Sequence, residues 1–116
     1  MVESVNPKRG EMVIKLGKKE FKARVTLDTI MRIETALGKG VVKIAYGLQE
    51  ADISMSDILQ ILTPVIRAGG NDVNEKDIGQ AVFDAGLTEG IRVAAEIIAL
   101  TLNSSEEEGN EQTAAT

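Results

Sequence analysis

The sequence predicts an α+β fold, mainly α: an N-terminal β-hairpin followed by about five short helices packed as one small domain. Three observations predict it. Residues 11–25 alternate apolar and polar side chains with period two, around a glycine-containing link. Residues 27–102 carry apolar stripes at helical spacing. Ser, Thr and Asn stand where helices should begin, and glycines where they should end. At 116 residues, one domain can bury roughly two-thirds of its unfolded surface, enough for an independent core.

The chain divides into an extended arm over 1–10, a hairpin-plus-helices domain over 11–102, and a disordered acidic tail over 103–116. Pro7-Lys8-Arg9-Gly10 leads into the hairpin. Met12, Ile14 and Leu16 fall on one side of the first strand, with Glu11, Val13 and Lys15 on the other. After Gly17-Lys18-Lys19 the alternation resumes: Phe21, Ala23 and Val25 oppose Glu20, Lys22 and Arg24. This is the pattern of a hairpin with one buried face.

The first helix is expected after Thr26, with Asp28 in its first turn and Leu27, Ile30, Ile33 and Leu37 on the buried stripe. Gly38 closes it. A second, from Val41 to about Gln49, buries Val41, Ile44, Ala45 and Leu48. The third and fourth share a starting device. Ser54 with Asp57, and Asn74 with Asp77, have capping-box spacing, and Ile53/Ile58 and Val73/Ile78 have the spacing of hydrophobic staples. The third helix runs to about Ala68, with a kink expected at Pro64 and a stop at Gly69-Gly70. The fourth ends at Ala85 before Gly86. The fifth runs from Glu89 to about Leu102 with Thr88 as cap. Its apolar residues lie all round, which suits a central position or a face kept for a partner. From Asn103 the composition turns polar and acidic, with nothing to offset the entropy of ordering.

Composition excludes much chemistry. The chain has neither cysteine nor histidine. It therefore lacks a disulfide, a thiolate nucleophile or ligand, and the commonest general base and transition-metal ligand. A Ser or Thr nucleophile would have only Lys, Asp or Glu as its base. Gly38-Lys39-Gly40 is too short for a phosphate loop and follows a helix. Asp52/Asp57 and Asp72/Asp77 lack calcium-loop spacing. Neither an enzyme nor a cofactor or metal is expected. The net charge of −5 opposes nucleic-acid binding. Glu106, Glu107, Glu108 and Glu111 account for four of those charges, so the domain itself is nearly neutral. Lys15, Lys18, Lys19, Lys22 and Arg24 could form a basic patch, or simply protect a strand edge. No apolar run spans a bilayer, and residues 1–5 do not resemble a secretory signal. A soluble protein that is not secreted is expected.

Binding is the chemistry that remains. Met31, Tyr46 and Met55 are the side chains least explained by the stripes, and are the candidate partner contacts. The competing reading makes them gap-fillers or rim residues.

The order of Asn6-Pro7-Lys8-Arg9-Gly10-Glu11, Leu16-Gly17-Lys18-Lys19-Glu20-Phe21 and Leu27…Ile33-Glu34…Leu37-Gly38 resembles the gene transfer agent family of phage tail proteins. The likeness continues through Ile53–Gly70 and covers roughly residues 6–102. That family is classed among tail assembly chaperones, and some descriptions call it a tail tube protein. The resemblance implies a non-enzymatic assembly factor, working in the cytoplasm of a bacterial host, that binds the tape-measure protein and helps recruit tail tube subunits. It leaves self-association open and implies no small-molecule substrate. A structural tube or connector subunit, and a small adaptor domain unrelated to phage, are the alternatives.

Overall fold

The computed structural model describes the backbone of residues 10–115 and the side chains of residues 10–103. The expected extended arm, apart from Gly10, lies outside the described residues. Two strands, β1 (Glu11–Leu16) and β2 (Lys19–Arg24), precede α1 (Leu27–Leu37), α2 (Val41–Gln49), α3 (Met55–Ala68), α4 (Glu75–Ala85) and α5 (Leu87–Ala115). The hairpin followed by five helices in one globule is the architecture that the sequence predicts.

β1 and β2 pair antiparallel, from Glu11 opposite Arg24 to Leu16 opposite Lys19. Gly17 opens the two-residue turn at φ 63°, the primed geometry that matches strand twist and favours glycine at this place. Ile14, Leu16, Phe21 and Ala23 are buried on the inner face, with Met12 packed beside them.

α1 begins with a reciprocal cap. The Thr29 N–H donates to Thr26 Oγ1 at 3.2 Å, and the Thr26 N–H donates to Thr29 Oγ1 at 2.8 Å. This arrangement buries Thr29 beside Ile30 and Ile33. Leu27, expected in the core, is instead 76% exposed. The buried face of α1 runs through 29, 30 and 33, and Leu27 falls outside that arc. Gly40 offers no side chain to cap α2, and Glu34 supplies one from α1: its carboxylate accepts the Val41 N–H at 3.0 Å.

Ser54 Oγ accepts the Asp57 N–H at 3.0 Å, and Asn74 Oδ1 accepts the Asp77 N–H at 2.8 Å. Both caps were anticipated. Among the described residues the reciprocal half of the box forms only in α1. The staple residues Ile53, Ile58, Val73 and Ile78 all join the core. α3 runs through Pro64 as one helical span.

Gly86 joins α4 to α5 without a loop. Its N–H donates to the Val82 carbonyl at 2.8 Å, while its own carbonyl accepts from Glu89 at 3.0 Å and Gly90 at 3.3 Å. α5 therefore starts at Leu87, and Thr88 lies in its first turn rather than capping it. α5 also continues to Ala115, past the end expected near Leu102. Residues 103–115 contain no proline to stop it and several glutamates, which favour helix. The side chains of the acidic tail lie outside the described residues.

α3 and α5 form the centre. α3 touches α1, α4, α5 and β2, and α5 touches α2, α3, α4 and β1. Ile58, Ile61, Leu62, Val65 and Ile66 meet Val93, Ala94, Ile97 and Ile98 in one aliphatic core. The hairpin is clamped to the end of α3. A Cβ on Gly69 would land on the Lys22 carbonyl and the Ala23 backbone, so only glycine fits there. Asn71 Nδ2 donates to the carbonyl of Lys22 and, at 3.0 Å, to that of Ile66.

Candidate partner-binding surface

A helix whose apolar stripe is wider than its buried face leaves apolar side chains outside. This happens on three faces. Leu27 (76% exposed) and Met31 (56%) stand one turn apart on α1, and Val42 (58%) and Tyr46 (64%) one turn apart on α2. Phe83 (72%) near the end of α4 is followed by Leu87 (41%) at the start of α5. Within α1 and α2 the spacing of four puts both members on one side of the helix. Packing explains none of these exposed residues, since the core closes without them.

Two of the three sequence candidates, Met31 and Tyr46, are thus on outer faces, each on its own helix and each with an apolar neighbour one turn earlier. Met55, the first residue of α3, is half-buried and packs against the core. Leu27, Val42, Phe83 and Leu87 were not singled out in advance. Their spacing of four from another apolar residue is visible in the sequence, but their exposure is not, and Leu27 lies on the expected buried stripe.

Beside Leu27 and Met31, a groove of about 480 Å³ runs between α1, α3 and the start of α4, lined among others by Asp28, Arg32, Gln60, Thr63, Arg67 and Glu75. Its walls mix polar and apolar surface, and several of the charged and polar side chains pair with one another or with backbone. Arg32 Nε donates to Asp28 Oδ2 at 2.8 Å, and this bond raises the guanidinium's pKa above its ordinary value. Gln60 donates to Glu75 at 3.4 Å, and Arg67 donates to the Val73 carbonyl at 3.1 Å. Among the described residues the buried Thr63 hydroxyl meets no hydrogen-bond partner, and Pro64 next to it has no N–H to offer the Gln60 carbonyl. Among the described residues, no group of three or more acidic, His or Cys side chains could hold a metal ion. No described helix is long and apolar enough to cross a membrane.

The class of protein comes from the family comparison: this hairpin and helical globule form a phage tail protein. The model of the family described as "Phage tail tube protein, GTA-gp10" matches residues 9–104, and the chain belongs to that family. The match takes in every described strand, all of α1 to α4, and α5 as far as 104. No curated protein and no solved structure matches the chain.

Proposed function

We propose that the chain is a non-enzymatic tail assembly chaperone that binds the tape-measure protein and helps recruit tail tube subunits in the cytoplasm of the bacterial host. The observation behind this reading is the set of exposed apolar side chains, Leu27/Met31, Val42/Tyr46 and Phe83/Leu87, around a core that closes without them. A long helical partner carries apolar stripes that need cover until a tube encloses it. Short apolar faces on a small domain lay against such stripes as helix against helix. Many copies along one partner compensate for weak single contacts. Met31 and Tyr46 are the central contacts in this proposal. Met55 contributes at the rim, and the domain proper ends near Leu102.

Co-expression with a phage tape-measure protein, followed by size-exclusion chromatography with mass detection, tests the reading. A soluble complex with several copies per tape measure is expected, with the tape measure insoluble when made alone. Elution of this chain by itself, beside an insoluble tape measure, refutes it.

A second reading, a tube or connector subunit retained in the particle, is favoured by the description attached to the matched family. Stoichiometric amounts of the chain in purified particles would support that reading against the first.

A further inference from the structure

The two edges of the hairpin differ in what their backbones meet. The Val25 N–H donates to the Gly10 carbonyl at 2.8 Å, which fixes the parity of the ladder. Met12/Ala23, Ile14/Phe21 and Leu16/Lys19 are then the hydrogen-bonded pairs. The backbone groups of Glu11, Val13 and Lys15 point away from β2, and those of Glu20, Lys22 and Arg24 point away from β1. On the β2 side Asn71 takes the Lys22 carbonyl, and Gly69 presses against it. On the β1 side, among the described residues, the N–H and C=O of Val13 and Lys15 meet no hydrogen-bond partner. An open strand edge is a template for another strand.

We propose that this edge pairs with β1 of a second copy of the chain, antiparallel and centred on Val13, to give a four-stranded sheet across a symmetric dimer. Charge selects both occupant and register. Centred on Val13, Lys15 stands opposite Glu11 of the second copy, and Glu11 opposite Lys15 of the second copy. Within each hairpin Lys15 already pairs with Glu20 at 3.7 Å, and Glu11 stands opposite Arg24. The joined sheet therefore carries two rows of alternating sign: Glu20 and Lys15, then Glu11 and Arg24 of the second copy. Between these rows the two half-buried Val13 side chains meet, which accounts for an apolar residue on an otherwise charged face. Sliding the pairing by four residues in total sets Glu11 against Glu11 or Lys15 against Lys15, and sliding it by two sets a charge against Val13. Directly opposed charges of opposite sign favour a pairing and like charges oppose it, so one register stands out. The contact uses the same patch on both copies and closes on itself. The covered β2 edge stops the sheet at four strands.

Substitution at Val13 gives a selective test, because its N–H takes no part in the hairpin ladder. Val13→Pro removes an outward donor and keeps every β1–β2 bond, a place where an edge strand accepts proline. Sedimentation equilibrium of the full chain should give a dimer of twice 12.4 kDa that dissociates on dilution. V13P should be monomeric at every concentration, with an unchanged circular dichroism spectrum. K15E should weaken the dimer about tenfold or more, and E11K/K15E/E20K/R24E, which reverses every charge of both rows, should restore most of that loss because each charge again meets its opposite within the hairpin and across the contact. A wild-type chain that stays monomeric at millimolar concentration overturns the proposal. So does a dimer that survives V13P, or a fully charge-reversed variant no better than K15E. Hydrogen exchange covers the remaining occupant. Slow exchange at the Val13 and Lys15 amides in the dilute monomer would place a segment of the same chain on this edge, and would also overturn it.

Discussion

α3 and α1 lie side by side and both are amphipathic, yet they use their apolar residues differently. α3 buries Ile58, Ile61, Leu62, Val65 and Ile66 and exposes no large apolar side chain. α1 buries Ile30, Ile33 and Thr29, packs Leu37 against the core, and turns Leu27 and Met31 to solvent. The apolar content of α3 serves stability. Two of the five large apolar side chains of α1, Leu27 and Met31, lie outside the core, which leaves them available to a partner.

The sharpest way to break this contrast is to truncate inside α3. Ile61→Ala, at a fully buried position, should destabilise the fold by about 2–5 kcal/mol in urea unfolding. A loss no larger than that of an exposed residue would remove the distinction between the two helices. Next comes the clamp at the end of α3. Gly69→Ala should cost about 1–3 kcal/mol, since its Cβ meets backbone atoms that cannot rotate away. Gly70→Ala should cost about 1–2 kcal/mol for a different reason: space is open there, but φ is +100°. Thermal melts of both variants would separate steric from conformational exclusion at adjacent glycines.

A smaller effect is expected at the start of α1. Thr26→Ala removes the acceptor for the Thr29 N–H and should cost about 1 kcal/mol, with the loss read by denaturant unfolding. Smallest for stability are Met31→Gln and Tyr46→Gln, which should stay within about 0.5 kcal/mol of the parent. Both should nevertheless lower recovery of the tape-measure complex. If either unfolds the domain, its face belongs to the core after all.

Helix starts were the most legible part of the fold. Thr26, Ser54 and Asn74 cap as their sequence context implies, because a cap is a local bond between residues three apart. The hairpin was equally plain, since alternation and a glycine turn leave one pairing. The failures were rotational or tertiary. Leu27 was assigned to the core because its spacing from Ile30 fits a stripe, but a stripe does not say where the buried arc begins. Thr88 looked like a cap because the sequence does not reveal that Gly86 can serve two helices. Glu34 capping α2 from another helix has no local signature at all. For the surface, Met31 and Tyr46 stood out as off-stripe residues of unusual type. Leu27, Val42, Phe83 and Leu87 could be seen only once the core was closed.

The bond from Asn71 to the Lys22 carbonyl joins residues 49 positions apart, and this separation matters during synthesis. The hairpin leaves the ribosome first, while its anchor is not yet made. A lone two-stranded hairpin is at best marginally stable in water. β1 and β2 must therefore wait as unsettled chain until α3 and the residues just beyond it have emerged. Throughout that interval the β2 edge is as open as the β1 edge. Slower translation between Arg24 and Asn71 would lengthen the time in which the β2 edge stands uncovered.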